Sequence, residues 1–279
     1  MQLARPESPE AAVAALGSGT ALAGGTELVP LLRDGIVEAE TLVDVTAALP
    51  RGISGRTIGA GTTLAELEAS DAVPDALREA CRLAASPQLR NMGTIGGNLL
   101  QATRCWYWRL RFPCRLHGGD TCHAKQGQHR EHAFYANDFC ASAHPSDPAA
   151  ALLALGARIR TDRRELPIAE LYRLPTEADR STTTLAPDEL ILELDVPEAG
   201  ASTYLKAMDR KRWAFALVGV AAARVDGETR IALAGAAPIP WLLESPDVED
   251  ATPLPGTAFK VEIARTLVRR GLADLQNPR

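Results

Sequence analysis

Metal-binding residue types are concentrated in one short part of this chain. Four of the five cysteines and all five histidines fall between residues 105 and 144. The four cysteines are Cys105, Cys114, Cys122 and Cys140. Thiolates and imidazoles are common ligands of iron and zinc. A disulfide framework is a poor explanation in a chain of 279 residues without a signal-peptide pattern. We therefore expect a metal site.

The spacing of the cysteines leaves two kinds of metal site open. None of the four forms the short C-x₂-C pair of zinc fingers and bacterial ferredoxins, so the ligands must come from separate parts of a folded loop. Four thiolates suit a [4Fe–4S] cluster, whereas cysteine and histidine together suit structural zinc. Residues 101–140 contain six basic and three acidic residues, and this excess of positive charge compensates the negative charge of either site. On the residues alone we favour a cluster over zinc.

Two glycine-rich segments indicate a site for an anion. The first glycine segment is Ala23-Gly24-Gly25-Thr26-Glu27, and the second is Gly93-Thr94-Ile95-Gly96-Gly97-Asn98. Glycine allows close approach of the backbone, and successive backbone N–H groups bind phosphate oxygens. Neither segment has the G-x-G-x-x-G order or the P-loop spacing. Each alone is more typical of an ordinary loop, but together they can bind one pyrophosphate from two sides.

Local patterns predict the elements that position these residues. A strand at 19–23 and a turn at Gly24-Gly25 lead into a short helix at 27–32, with Thr26 as its N-cap and Gly35 at its end. Residues 86–101 read as a second turn region.

Three further helices are predicted outside the two glycine segments. Residues 74–85 have helical periodicity, with Cys81 as a small buried hydrophobic residue. Ser146 or Asp147 caps a helix that ends at Gly156, and residues 259–275 form an amphipathic helix. With strands between these helices, the chain is predicted to be α+β with two domains.

Composition excludes some functions. A formal net charge of -5 argues against binding to nucleic acid, because phosphate backbones require a basic surface. No apolar stretch approaches the roughly 20 residues of a membrane helix, so we expect no membrane insertion. We expect a cytoplasmic protein, or a periplasmic one if a signal-bearing partner exports it.

Several motifs, in order, resemble those of one protein family. The segments AGGTELVPLLRDG, TIGAGTTLAEL, ASPQLRNMGTIGGNL, HPSDPAAALLALGA and YLKAMDRKRWAFALVGVAAA resemble the FAD-binding medium subunit of the molybdenum hydroxylases. That family includes xanthine dehydrogenase, carbon monoxide dehydrogenase and aldehyde oxidoreductases. The resemblance implies a two-part FAD-binding domain at 1–172, with a small parallel sheet and a larger mixed sheet with helices. A smaller C-terminal α+β domain would occupy 173–279, and the polar, proline-bearing stretch 175–190 would form a connection near its start.

The same resemblance implies which residues bind the cofactor. The FAD pyrophosphate would be held through backbone N–H groups of the two glycine segments, by Ala23, Gly24, Gly25, Thr26, Glu27, Leu28, Thr94, Ile95, Gly96, Gly97 and Asn98. Asp147 would bind a hydroxyl of the sugar chain, although it is equally well explained as a helix cap. Lys206 matches a lysine near the flavin ring, where a cation stabilises reduced flavin. Without the resemblance, Lys206 reads as a solvated strand lysine.

The cysteines lie in a segment that ordinary medium subunits lack. Residues 102–143, which we call the cysteine insert, separate the second glycine segment from the helix that follows Asp147. The insert resembles that of a subgroup of aldehyde oxidoreductase flavin subunits in which four cysteines hold an additional [4Fe–4S] cluster. This implies Cys105, Cys114, Cys122 and Cys140 as cluster ligands and assigns no histidine.

The implied function is electron transfer within a larger enzyme. A large molybdopterin-binding subunit would oxidise the substrate, a small [2Fe–2S] subunit would carry electrons to FAD in this chain, and an external acceptor would receive them. No catalytic acid–base group is expected here, because the cofactor supplies the chemistry. Two alternatives are a stand-alone FAD oxidase with structural zinc in the insert and a non-catalytic assembly module.

Overall fold

The N-terminal part of the chain contains a small parallel sheet. A computed structural model describes residues 1–210 and 213–277. The strands β1 (Gln2–Ala4), β2 (Thr20–Leu22) and β3 (Thr41–Asp44) pair in the order β1-β3-β2, and both pairings are parallel. β2 ends immediately before the first glycine segment, so this sheet fixes where the segment begins.

A second sheet joins distant parts of the chain. Its strands are β4 (Ile53–Ser54), β5 (Thr57–Gly59), β6 (Arg158–Thr161), β7 (Glu165–Pro167) and β8 (Ile191–Asp195). They pair in the order β4-β5-β8-β6-β7, and the sheet is antiparallel throughout. β8 follows the predicted division at 172/173 in sequence, yet it lies between two strands that precede the division. The division itself stays a prediction.

The third sheet is formed by the last four strands, which are β9 (Ser202–Ala207), β10 (Val218–Val225), β11 (Glu228–Ala234) and β12 (Trp241–Leu242). They pair antiparallel in the order β12-β11-β10-β9. With the helices around these sheets, the predicted α+β class and the small parallel sheet are confirmed.

Eleven helices connect the described strands. They are α1 (Pro9–Leu16), α2 (Leu28–Arg33), α3 (Leu64–Glu68), α4 (Asp75–Leu83), α5 (Pro87–Met92), α6 (Ile95–Leu99), α7 (Trp106–Arg109), α8 (His123–Gln126), α9 (Asp147–Ala154), α10 (Ile168–Leu171) and α11 (Ala258–Gln276). Within the described ranges, none of them is long and apolar enough to cross a membrane.

Hydroxyl caps determine where several helices begin. Ser146 accepts a hydrogen bond from the backbone N–H of Ala149 at 3.0 Å, which makes it the N-cap of α9. Gly156, with φ of 68°, follows that helix as predicted. Cys81 is fully buried in α4, which confirms its prediction as a small hydrophobic residue.

Two local predictions near the glycine segments were wrong. Thr26 does not cap α2, because the helix begins one residue later and Glu27 takes the N-cap position without a side-chain bond to the helix. Residues 86–101 are not simply a turn region, since they contain α5 and α6. Ser86 and Thr94 cap these two short helices through their hydroxyl groups, which offsets the cost of helical glycines.

The third sheet is buried on both faces. Along β10, Ala221 and Ala223 pack in one apolar cluster with α4 and α9, whereas Val218, Val220 and Ala222 pack in another with α11. This alternation is the period of two expected for a strand. One sheet therefore connects the N-terminal core to the C-terminal helix.

The second half of the cysteine insert is attached to the C-terminal part of the chain. The backbone N–H groups of Phe134 and Tyr135 both donate to the carbonyl of Ala236. Lys260 of α11 is fully buried, and its ammonium group donates to the carbonyls of His132 (2.8 Å) and Gly235 (2.7 Å). Burial lowers the pKa of Lys260 to about 7.

This buried amine predicts a pH-dependent stability. Between pH 7 and the ordinary lysine pKa, the unfolded chain binds a proton at Lys260 that the folded chain does not, so this group makes folding more favourable as pH rises. In urea unfolding, the free energy of unfolding of the wild type should rise relative to that of Lys260→Met from pH 7 to 9, by at most about 1.4 kcal/mol per pH unit. Arg269→Met, on an exposed position of α11, should show no such trend. A difference in free energy of unfolding between the wild type and Lys260→Met that does not change with pH would contradict the lowered pKa of Lys260.

Candidate cofactor site

A cleft of about 580 Å³ runs along both glycine segments. It is lined by every residue predicted to bind the cofactor except Ile95. Ile95 has no exposed surface and packs in the N-terminal core, so its contribution is to hold α6 in place. Asp147 and Lys206 form another part of the cleft wall. Segments that are far apart in sequence therefore surround one space.

The two glycine segments touch each other at Gly24. A Cβ atom at this position would lie 1.8 Å from the carbonyl oxygen of Met92 and 3.2 Å from the backbone nitrogen of Gly93. No side chain fits there, so the contact requires glycine. The next residue, Gly25, has φ of 70°, which favours glycine for a different reason. The Gly-Gly pair thus has a structural cause at each position.

The two segments differ in the backbone donors that they offer. In the second segment the N–H groups of Ile95, Gly96, Gly97 and Asn98 already donate to the protein. Their acceptors are the carbonyls of Thr62, Ala60 and Thr94 and the hydroxyl of Thr94. Among the described residues, none accepts a hydrogen bond from the N–H groups from Gly24 to Leu28. The N–H groups that are free to bind an anion therefore belong to the first segment. The prediction that both segments offer free N–H groups missed this difference.

Asp147 and Lys206 form a buried ion pair at the cleft. The ammonium group of Lys206 donates to the Asp147 carboxylate at 2.7 Å and to the carbonyl of Leu83 at 2.9 Å. The hydroxyl of Tyr204 donates to the other carboxylate oxygen. The side chains of the pair are 3 % and 1 % exposed, respectively. Burial raises the pKa of Asp147, and the Lys206 ammonium opposes that shift.

The sequence predicted these two residues separately and missed their pairing. They are far apart in the chain, and only the packing of α9 against the third sheet brings them together. The pair gives the cleft a fixed carboxylate and a fixed ammonium group at one position.

Other walls of the cleft were not predicted. The exposed aromatic residues Trp213 and Phe215 line it, and so does Arg104 of the cysteine insert. The guanidinium of Arg104 lies 4.8 Å from the centre of the Phe215 ring, and its Nε is buried without a partner among the described residues. A polar atom of this kind fits an acceptor supplied by a bound molecule. Apolar residues of α2, α3 and α5, together with Ile191 of β8, complete the wall.

The four cysteines of the insert are unpaired thiols. The Cys140 thiol donates a hydrogen bond to the hydroxyl of Ser142 at 3.3 Å. Its interaction with the sulfur of Cys122 lowers the pKa of Cys122 to about 5 and raises that of Cys140. Burial raises the pKa of Cys105 to about 11, and the nearby sulfurs of Cys114 and Cys122 add to the shift. Each of the four sulfurs therefore interacts with at least one other: Cys105 with Cys114 and Cys122, and Cys122 with Cys140.

Backbone N–H groups act on the pKa of two of these cysteines. Those of Ala124, Lys125 and Ala141 lower the pKa of Cys122, and those of Tyr107 and Trp108 oppose the rise in the pKa of Cys105. Such donors favour the thiolate form that binds metal. Within the described ranges, no three cysteine, histidine or acidic side chains form a group that would hold a single metal ion. Neighbouring free sulfurs with N–H donors fit a thiolate-bound group.

Comparison with known proteins identifies the family. A family model described as the FAD binding domain in molybdopterin dehydrogenase matches residues 1–199. The chain belongs to this family. It is thus the FAD-binding component of an oxidoreductase, which confirms the predicted enzyme class. The additional cluster and the individual binding residues stay predictions.

Individual relatives match this chain over different lengths, which refines the assignment. The chain is 34% identical to the aldehyde oxidoreductase FAD-binding subunit PaoB of Escherichia coli (strain K12), over 91% of this chain and 90% of the relative. It is 40% identical to the carbon monoxide dehydrogenase medium chain of Hydrogenophaga pseudoflava, over 34% of this chain and 37% of the relative.

Solved structures share the fold. A carbon monoxide dehydrogenase from Hydrogenophaga pseudoflava matches with a TM-score of 0.70 and 24% identity, over 99% of this chain and 97% of the other. Quinoline 2-oxidoreductase from Pseudomonas putida 86 matches with a TM-score of 0.72 and 16% identity, over 99% of this chain and 96% of the other. At these identities the likeness concerns the fold alone.

The contact at Gly24 predicts the effect of one added methyl group. Gly24→Ala should separate the two glycine segments and lower the flavin content of the purified protein at least about tenfold, a loss of about 1.4 kcal/mol or more in binding. Gly17→Ala is the control, because a Cβ there meets no atom closer than 3.6 Å. The flavin content of each variant is measured from the absorbance of flavin released by acid. Equal flavin in both variants would contradict the proposed cleft.

The buried ion pair predicts non-additive stability effects. Lys206→Met leaves the Asp147 carboxylate buried without its cation, which should lower the free energy of unfolding by about 3–5 kcal/mol. Asp147→Asn combined with Lys206→Met should recover much of this loss, because neither charge remains. Urea unfolding measures both values, with the exposed Arg269→Met as control. A double variant as unstable as the sum of its single variants would refute the coupling.

Proposed function

We propose that this chain is the electron-transferring flavoprotein subunit of a molybdenum-dependent hydroxylase of the aldehyde oxidoreductase type. Iron–sulfur centres of a small [2Fe–2S] partner subunit would supply the electrons, and an external acceptor would receive them. A large molybdopterin-binding partner would act on the substrate. In this proposal the cysteine insert holds a [4Fe–4S] cluster.

One observation carries the flavin part of the proposal. The two glycine segments, Asp147 and Lys206 line a single cleft, although they belong to distant parts of the sequence. A ligand that carries both a diphosphate and a flat ring system matches a cleft with free N–H groups, apolar walls and exposed aromatic residues. Bound FAD supplies the chemistry of accepting and releasing electrons.

Each part of the cleft has a distinct task toward FAD. The N–H groups from Gly24 to Leu28 would bind the diphosphate oxygens. Asp147 would accept a hydrogen bond from a hydroxyl of the cofactor, and Lys206 would hold that carboxylate ionised and in place.

The extent of the relatives supports the aldehyde oxidoreductase type. A match over 91% of this chain extends through the cysteine insert, whereas the carbon monoxide dehydrogenase medium chains match over about a third of it. The relatives are described as a subunit and as medium chains, which supports a multi-subunit complex.

The arrangement of the insert supports thiolate ligation. Cys105, Cys114, Cys122 and Cys140 would be the ligands, since Cys105 interacts with Cys114 and Cys122, Cys122 interacts with Cys140, and backbone N–H groups favour the thiolate form of Cys105 and Cys122. Trp106 and Tyr107, which pack around His132 beside Cys105, would limit access of water to the cluster.

Metal analysis tests the cluster. The purified wild-type chain should contain about four iron atoms with matching sulfide. Cys114→Ser should lose most of this iron, because Cys114 is a ligand with only 7 % of its surface exposed. Cys81→Ser should retain the iron, since Cys81 lies in the N-terminal core. One zinc and no iron in the wild type, or full iron in Cys114→Ser, would overturn the assignment.

A further inference from the structure

The side chain of Glu27 links the first glycine segment to the cysteine insert. Its carboxylate pairs with the guanidinium groups of Arg104, at 2.6 Å, and of Arg109. It also accepts a hydrogen bond from the backbone N–H of Ala102 at 3.1 Å. A residue of the cleft is thus bound to the insert at three points.

Those three points lie directly beside the first cysteine. Arg104 precedes Cys105 in the chain, and Arg109 ends the short helix α7 that follows it. Arg109 also donates to the carbonyl of Thr103 at 2.9 Å, and the Thr103 hydroxyl accepts from the backbone N–H of Cys105 at 3.1 Å. The position of Cys105 therefore depends on the arginines that Glu27 holds.

The ion pairs of Glu27 are shielded from water. The side chains of Glu27 and Arg109 are 18% and 17% exposed, and that of Arg104 is 32% exposed. Other pairs of this chain, such as Arg158 with Glu165, are more than 40% exposed on both sides. Exposed pairs contribute little, whereas a partly buried carboxylate with two cations and an N–H donor constrains its partners.

Glu27 is also tied to the cofactor side of the cleft. It stands at the N-cap of α2, among the residues whose N–H groups are free for the diphosphate. An ionised carboxylate beside an anionic ligand is unfavourable by itself, and the two guanidinium groups neutralise it. A ligand that orders this segment would hold the Glu27 carboxylate in contact with the cysteine insert.

We propose that Glu27 is a positioning residue that couples FAD binding to retention of the metal at Cys105. The inference rests on the proposed function, because it requires both FAD and an iron-containing insert. FAD fixes the first glycine segment, the segment holds Glu27, and Glu27 holds Arg104 and Arg109 on either side of Cys105. Coupling of this kind is reciprocal, so a filled insert also favours FAD.

The loss of iron to a chelator measures this coupling. The rate is recorded for the full-length chain with FAD bound and after FAD has been removed. In the wild type, FAD should slow iron loss at least about fivefold, which is the lower range of known couplings between sites. In Glu27→Gln the two rates should be nearly equal. A merely structural role would instead speed iron loss by the same factor with and without FAD.

Two further variants complete the experiment. Glu165→Gln removes an exposed ion pair and should keep the full effect of FAD. Arg109→Met removes one of the two ion pairs from the insert side, leaves the sequence of the glycine segment unchanged and should reduce the effect of FAD, which covers the case in which Glu27→Gln does not fold. Undiminished FAD protection in Glu27→Gln or in Arg109→Met would overturn the role of Glu27. A wild-type chain with neither iron nor FAD would instead overturn the proposed function.

Discussion

The cleft depends on a contact between two pieces of backbone that leaves no room for a side chain. Gly24, just after β2, lies against the last residue of α5 and the glycine that follows it. Gly93 in turn accepts a hydrogen bond from the first residue of α3, and Thr94 pairs with Thr63. The parallel sheet and the helices α3, α5 and α6 are thereby held at a fixed separation. Because the cleft lies along this junction, its width follows from the absence of one Cβ atom.

Charged groups at the cleft are paired before any ligand binds. Asp147 is neutralised by Lys206, and Glu27 by Arg104 and Arg109. Pairing at such positions reduces the cost of burying charge and fixes the side chains in one geometry. The first pair joins α9 to the third sheet, and the second joins the glycine segment to the insert. Both pairs therefore tie the cleft to other parts of the molecule, which is the condition for one site to influence another.

Local sequence patterns predicted the elements better than the contacts between them. The strand before Gly24, the helix after Asp147, the buried Cys81 and the long C-terminal helix follow from periodicity, caps and turn residues. The prediction of Thr26 as an N-cap was wrong because it considered only the local preference for threonine at that position. It did not include the ion pairs that Glu27 forms with residues distant in the sequence. The donors of α6 were expected to be free because the glycines suggested a loop, whereas hydroxyl caps make that segment helical. Pairs such as Asp147 and Lys206 arise from tertiary packing, which a single sequence does not reveal.

The central claim is that one FAD molecule occupies the cleft between the two glycine segments. A crystal or cryo-electron microscopy structure of the purified, flavin-loaded protein tests it most directly. Density for the diphosphate is expected within hydrogen-bond distance of the N–H groups from Gly24 to Leu28, with the flavin on the side of Trp213 and Phe215. Flavin density elsewhere on the chain, or a diphosphate held by α6 alone, would contradict it.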